Sequence, residues 1–213
     1  MSQLIQARKR LHQFATSPEK SSRYFKTGPG DYAEHDRFIG VSMGNLRLVA
    51  KEFGLMSLSD LHELLFSEVN EERSLALIIL VNRFKKSDEL GKKEIYDFYM
   101  KNLSCVNNWN LVDISAHLIV GAYLLDKNKS ILFDLAKSKD LWERRVAMVS
   151  TWFFIRHTEL RMTFELAELL LNDTHDLMHK AVGWMLREAG KKDFDQLVLF
   201  LEKHATQMPR TML

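Results

Sequence analysis

The sequence has little of the residue types that cross-link or turn a chain. Its 213 residues include one cysteine, three prolines and nine glycines. The single cysteine, Cys105, excludes an internal disulfide framework and indicates a reducing compartment. The scarcity of proline and glycine favours long helices over strands joined by tight turns.

Long apolar runs are also missing. No stretch reaches the roughly 18 consecutive apolar residues of a membrane-spanning helix. The N-terminal stretch MSQLIQARKRLHQF lacks the apolar region of a signal peptide. We therefore expect a cytoplasmic protein with no membrane partner. The length and the 46% hydrophobic content suit one sizeable domain, or a single elongated array, over residues 1–213.

An excess of charge of one sign is absent overall, since the net charge is only +2. The first 30 residues, however, carry a single anion, Glu19, beside six cations. These cations are Arg8, Lys9, Arg10, Lys20, Arg23 and Lys26. Such a segment either meets a polyanion or is the solvated face of a helix, and charge alone leaves both interpretations open.

Helical periodicity is present along nearly the whole chain. It is clearly interrupted at KTGPGDY (26–32), where Gly-Pro-Gly must turn. Apolar residues recur at i, i+3 and i+4 with no sustained alternation of period two, so we predict an all-α fold. The predicted helices cover 2–15, 36–53, 57–66, 70–86, 89–102, 108–125, 129–137, 140–157, 161–171, 174–189 and 192–204.

A weak internal repeat runs through four of these helices. Each copy has a polar pair, an alanine and an apolar run: ERSLALIILV, LVDISAHLIVG, ERRVAMVSTW and LMHKAVGWML. The repeated alanines are Ala76, Ala116, Ala147 and Ala181. Their spacing is close to the roughly 34 to 47 residues of helix-pair repeats. An α-solenoid with a concave surface is favoured over a plain bundle in which alanines fall at such spacing by chance.

Chemically distinctive side chains lie in the predicted helices that contain three of the repeat copies. Trp109 and Asp113 are one turn apart in NNWNLVDISA. The helices that contain the other two copies carry Arg144, Arg145, Lys180, Trp184 and Arg187. Arginine and lysine suit phosphate oxygens, and indoles stack on bases or meet cations. A carboxylate among them suits a developing positive charge, such as the oxocarbenium ion formed when a glycosidic bond breaks.

Each of these residues also has a purely structural interpretation. Tryptophans are usually buried, and we expect Trp142 and Trp152 to belong to the core. Asp113 either accepts hydrogen bonds from Arg144 or Arg145 in a structural pair or acts chemically, and spacing alone does not decide. The HDLMH stretch lacks the glutamate and third ligand of a zinc site, so we expect no metal.

The motifs together resemble the AlkD-type DNA alkylation repair glycosylases. The similar stretches are SRYFKTGPGDYAEHDRFIGV, NNWNLVDISA, WERRVAMVSTWFFIR, HKAVGWMLREAGKKD and the late MPRT. The resemblance implies a right-handed superhelix of HEAT-like helix pairs whose concave face holds duplex DNA. It further implies hydrolysis of the N-glycosidic bond of N3- or N7-alkylated purines, such as 3-methyladenine and 7-methylguanine. The expected enzyme is a monomer that needs no cofactor or protein partner and works at the nucleoid.

The resemblance also assigns roles to individual residues. Asp113 falls on the catalytic aspartate, while Trp109 and Trp184 fall on the aromatic residues that pack against the damaged nucleotide. Arg145 falls on an arginine that contacts the phosphate beside the lesion, and Tyr24 matches an aromatic residue that faces the DNA. Position and charge add further DNA contacts: Lys26, Arg144, Lys180 and Arg187.

Chains of this type usually continue as a further helix, whereas this sequence stops at Leu213. Either the protein is a short member or the last helix is missing. Three functions remain open: a glycosylase, a non-catalytic scaffold that binds distorted DNA, and a protein-binding solenoid. The glycosylase interpretation predicts that Trp109, Asp113, Arg145 and Trp184 converge on one concave surface.

Overall fold

The computed structural model describes residues 2–19 and 23–213. Over these residues the protein is all-helical, as predicted, apart from one isolated parallel β-bridge between Arg37 and Val69. The helices of the first half are α1 (Gln3–His12), α2 (Met43–Glu52), α3 (Leu58–Leu65), α4 (Asn70–Phe84), α5 (Glu89–Lys101) and α6 (Trp109–Ala116). Those of the second half are α7 (Ala122–Leu124), α8 (Ser130–Ala136), α9 (Leu141–Arg156), α10 (Arg161–Leu169), α11 (Asp176–Gly190) and α12 (Phe194–His204). None of the described helices combines the length and apolarity that crossing a membrane requires.

Short polar side chains begin many of these helices. The residues that precede α2, α3, α5, α9 and α12 are Ser42, Ser57, Asp88, Asp140 and Asp193. Each side chain accepts a hydrogen bond from a backbone N–H of the first turn, which would otherwise lack a helical partner. Local sequence chemistry therefore sets where these helices begin.

The chain divides into two compact units, Met1–Ile114 and Ser115–Leu213. In the first unit, the nearly fully buried helix α4 packs against α2 and α3, and α1 contacts both of those helices. In the second unit, α9 packs against α8, α10 and α11, and α12 lies against α11. The expectation of a single repeat domain over 1–213 stays a prediction.

The prediction of a helix over 36–53 is wrong at its start, because α2 begins only at Met43. Residues 36–42 instead follow an irregular path along the first turn of α4. Gly40 has a φ of +76°, a left-handed conformation that favours glycine. The carboxylate of Glu71 accepts the backbone N–H groups of Ile39 and Gly40 at 3.2 and 2.9 Å. A side chain distant in sequence thus replaces the helical hydrogen bonds of this segment.

The repeated alanines are all buried. Ala76, Ala116, Ala147 and Ala181 are all 0% exposed. They lie on α4, α6, α9 and α11, four helices that the repeat pattern related to one another. A small side chain allows a neighbouring helix to approach closely, so burial supports the packing role inferred from the repeat.

The predicted helix over 108–125 is interrupted by a π-helical segment, His117–Gly121, which we call the π segment. It joins α6 to the short helix α7. A Cβ atom added to Gly121 would lie 2.2 Å from the backbone oxygen of Ser150 on α9. The π segment therefore packs its backbone directly against α9, which only glycine permits here.

Candidate functional site

The indole of Trp109 at the start of α6 lies in a stack of three rings. Its ring centroid is 4.9 Å from that of Phe25, with an interplanar angle of 20°. Phe25 in turn stacks on Phe38 at 4.5 Å and 26°. We call Phe38, Phe25 and Trp109 the ring stack. Trp109 remains half-buried, so part of the indole is accessible while the stack limits its rotation.

A group of polar side chains, most of them buried, lies at the start of the same helix. Asp36 accepts hydrogen bonds from Asn70 at 2.8 Å and from Asn108 at 2.7 Å, and its other oxygen pairs with Arg73. Asn110 donates to the Oδ1 atom of Asn70 at 2.7 Å. We call these five residues the Asp36 network. Sequence reasoning missed it, although three asparagines around one tryptophan in NNWN were a visible signal.

Asp113 lies one turn after Trp109 on α6, as the spacing predicted, and is half-buried. Arg144, one of its two suggested structural partners, forms an ion pair with Asp173 at 2.6 Å. The same guanidinium donates to the carbonyl oxygens of Ser138 and Lys139 at 3.0 and 2.9 Å. Arg144 thus ties the start of α9 to the loop after α10.

Aromatic rings also meet in the second unit. Trp152 lies 4.9 Å from Trp184 in an edge-to-face arrangement and 4.5 Å from His117. His117 belongs to the π segment and is 6% exposed, whereas both tryptophans are half-buried. Trp142 is half-buried as well. Trp142 and Trp152 are therefore more exposed than we expected of core residues. The contact between Trp152 and Trp184 was not foreseen.

The candidate cations of the second unit differ strongly in exposure. Arg145 is 5% exposed, and its Nη1 atom donates to the carbonyl oxygen of Leu177 at 2.6 Å. Arg187 and Lys180 are exposed and line a cleft of about 420 Å³ together with Trp184 and Thr211. Lys180 also pairs with Asp176 at 3.1 Å. The cleft places positive charge and one indole among side chains that are mostly leucine and methionine.

The candidate residues near the N-terminus are on the surface. Tyr24 is 63% exposed, and its hydroxyl accepts a hydrogen bond from Arg23 at 2.7 Å. Lys26 is also exposed. Both flank Phe25, so the stretch RYFK presents a phenol and a cation beside the ring stack.

Some of the basic N-terminal charge is neutralised within the protein. Arg8 pairs with Glu72, and Arg10 pairs with Glu52, each at 2.9 Å. The predicted cation Lys20 lies outside the described residues. Counting cations in the sequence therefore overstates the charge that this segment offers a partner.

The structure accordingly brings candidate residues together within each unit. Trp109 and Asp113 share α6 in the first unit, and Tyr24 precedes the Phe25 that stacks on Trp109. In the second unit Trp184 shares a cleft with Lys180, Arg187 and Thr211. The convergence of residues from both units on one surface stays a prediction.

Comparisons with known proteins give this geometry a family context. A solved structure described as a predicted DNA alkylation repair enzyme from Enterococcus faecalis is similar, with a TM-score of 0.69 and 15% identity over 94% of each chain. That likeness shows a shared fold. No curated protein matches the chain significantly. The sequence profile of the DNA alkylation repair enzyme family matches residues 7–213. The chain therefore belongs to the DNA alkylation repair enzyme family.

Proposed function

We propose that this protein is a monofunctional DNA glycosylase that hydrolyses the N-glycosidic bond of N3- and N7-alkylated purines in duplex DNA. Family membership supports a role in alkylation repair. The observation that carries the more specific proposal is the arrangement on α6. There a half-buried carboxylate, Asp113, follows a half-buried and ring-stacked indole, Trp109, by one helical turn. This pair suits a flat base above a sugar that becomes positively charged.

The proposed reaction needs one carboxylate and no general acid to protonate the leaving base. An N3- or N7-alkylated purine carries a positive charge, so it leaves with the electron pair of the C1′–N bond as a neutral base. The deoxyribose then becomes an oxocarbenium ion, which the negative charge of Asp113 stabilises. Water adds to C1′ and releases a proton, leaving an abasic site. In this scheme Asp113 also orients the attacking water.

The remaining candidates have supporting roles in the proposal. Trp109 and Trp184 contact the damaged nucleotide, since indoles supply flat surfaces that tolerate any base. Lys26, Lys180 and Arg187 are exposed and suited to DNA phosphates, and Tyr24 is accessible two residues before Lys26. Arg144 contacts DNA only with the part of its guanidinium group that its ion pair with Asp173 leaves accessible.

Arg145 requires a more limited role. With 5% of the residue exposed, only an edge of its guanidinium could reach a phosphate. Its bond to the Leu177 carbonyl already fixes the start of α11, the helix that carries Trp184. We therefore assign Arg145 a single phosphate contact combined with the support of α11.

Base release tests the proposal. Purified protein is incubated with duplex DNA containing 7-methylguanine or 3-methyladenine, and the free base is measured. We expect release by the native protein and a rate about 10²- to 10³-fold lower for Asp113→Asn, because a transition-state charge contact is lost. Asp134→Asn, at an exposed carboxylate of α8, is the matched control and should keep the native rate.

Two results would contradict the proposal. One is the absence of base release by the native protein; if such a protein still bound duplex DNA, a non-catalytic scaffold would be the better description. The other is an unchanged rate for Asp113→Asn, which would remove Asp113 from its assigned role.

A further inference from the structure

We propose that Asp36 is a positioning residue, which acts through Asn108 to fix the first turn of α6 and thereby orients Trp109 and Asp113. The inference rests on the proposed function for its catalytic consequence. Its structural part, the orientation of Trp109, does not depend on that function.

The burial of the network shows that Asp36 depends on its partners. The side chains of Asp36 and Arg73 are each 5% exposed, while Asn70 and Asn108 are 2% and 0% exposed as residues. A buried carboxylate is costly unless donors surround it. One oxygen of Asp36 pairs with Arg73, and the other accepts from both asparagines. Asp36 thus joins α4 to the residue that precedes α6.

Asn108 transmits this connection to the helix. Its carbonyl oxygen accepts the backbone N–H groups of Leu111 and Val112, each at 3.1 Å, which are among the first hydrogen bonds of α6. Its side-chain amide donates to Asp36 at 2.7 Å. One residue therefore both starts the helix and attaches it to a buried carboxylate. The bond from Asn110 to Asn70 provides a second attachment within the same turn.

The segment that carries Asp36 also supports the other side of Trp109. Two residues after Asp36, Phe38 supports Phe25, which stacks on Trp109. The backbone of this segment is held to the start of α4, since Arg37 donates to the Glu68 carbonyl and accepts from the Asn70 N–H at 2.9 and 2.8 Å. Asp36 therefore connects the ring stack and the start of α6 in one rigid arrangement.

Directional bonds of this kind specify geometry better than apolar packing does. Apolar side chains in place of the Asp36 network would occupy the same volume without fixing the rotation of α6 about its axis. Rotation matters here because Asp113 and Trp109 must both face the nucleotide. In enzymes, a misplacement of about 1 Å can reduce the rate about a hundredfold.

The variant Asn108→Ser tests the proposal, because it removes the hydrogen bond to Asp36 and keeps a residue type that suits the start of a helix. Serine is a favoured residue before a helix, but its side chain is too short to replace the hydrogen bond from the Asn108 amide group to Asp36. Asn108→Ala is a second variant, which removes the same hydrogen bond without adding a hydroxyl group near Asp36. The matched control is Asn102→Ala in the same unit. Asn102 is 5% exposed and donates to the Phe98 carbonyl at 2.8 Å, so its removal also deletes a buried amide.

Two measurements are made on each protein. The first is the ¹⁹F NMR spectrum of protein labelled with 5-fluorotryptophan, in which the loss of one signal in Trp109→Phe identifies that of Trp109. The second is kcat and KM for base release from methylated duplex DNA. We expect Asn108→Ser to shift or broaden the Trp109 signal and to lower kcat about ten- to a hundredfold with little change in KM. Asn102→Ala should leave the Trp109 signal and kcat unchanged.

An unaltered Trp109 signal in Asn108→Ser and Asn108→Ala would overturn the proposal. So would a native kcat for these variants, or an equal loss of kcat in Asn102→Ala. If the native protein releases no base, the proposed function fails on its own, and the NMR signal alone then decides whether Asp36 orients Trp109.

Discussion

Glu71 is a carboxylate that the fold buries to hold a backbone segment. It is 4% exposed and accepts hydrogen bonds from the N–H groups of Ile39, Gly40 and Val41. Burial raises the pKa of Glu71 above the ordinary value of 4.5, although the backbone hydrogen bonds act in the opposite direction. The folded protein therefore binds the proton of Glu71 more tightly than the unfolded chain does.

This pKa shift predicts a pH-dependent contribution to stability. A raised pKa means that the contribution of Glu71 is greatest below pH 4.5 and is lost as the pH rises through the folded-state value. Glutamine does not ionise, so the Glu71→Gln variant does not lose this stability as the pH rises. We expect the free energy of unfolding of the variant, relative to native protein, to increase with pH by about 1.4 kcal/mol for each unit of pKa shift.

Urea unfolding between pH 4.5 and neutrality measures this difference. Glu68→Gln is a suitable control, because Glu68 has a 70% exposed side chain in the same region. The pKa direction would be contradicted if the free energy of unfolding of Glu71→Gln minus that of native protein stayed constant or fell as the pH rises.

The sequence predicted which residues of α6 are candidates, but it did not predict which residues contact them. Trp109 and Asp113 followed from helical spacing within one short stretch. Phe25 and Asp36 did not, because they reach the start of α6 from positions at least 72 residues earlier in the chain. No local pattern records contacts of that sequence separation.

At the scale of elements, the π segment shows how backbone packing overrides helical propensity. The predicted uninterrupted helix over 108–125 would have required ordinary turns at His117–Gly121. Instead the Ser150 carbonyl of α9 approaches Gly121 so closely that no Cβ fits. Such π turns often occur near functional sites, and here the π segment carries His117 against Trp152.

Gly121→Ala should therefore destabilise the second unit. The added methyl group would lie 2.2 Å from a backbone oxygen, which a flexible side chain cannot relieve. We expect a loss of about 1–3 kcal/mol, typical of overpacking, measured as a lower urea midpoint.

Gly44→Ala is the matched control for this substitution. In α2 a Cβ at Gly44 meets only the Ser42 hydroxyl at 3.9 Å. The change should leave the urea midpoint close to the native value or raise it slightly, because alanine is the better helix former. Equal midpoints for the two variants would contradict the close approach at Gly121.

At the scale of the whole molecule, the proposed substrate makes salt the most informative variable. Each phosphate contact releases counterions, so the logarithm of the binding constant falls linearly with the logarithm of salt concentration. Some cations are already paired internally, as Arg10 is with Glu52, and these should contribute little. The exposed cations Lys26 and Arg187 should contribute fully.

The double variant Lys26→Ala/Arg187→Ala should consequently make the negative slope of that plot less steep by about 2, one for each lost contact. Fluorescence anisotropy with a labelled duplex between about 50 and 200 mM salt provides the measurement. Arg10→Ala serves as control and should keep the native slope. An equal slope for the double variant and native protein would exclude both residues from the DNA contact.

The sequence by itself determined the all-α class, most helix boundaries and the repeated buried alanines, because helical period and capping residues act over a few positions. Its motifs also pointed to the DNA alkylation repair family, which the match over residues 7–213 shows. Tertiary structure alone decided the irregular segment 36–42, the π segment, the ring stack and the Asp36 network. Each of these depends on a buried carboxylate, a ring or a carbonyl from a distant part of the chain, and such contacts exist only once the helices have packed.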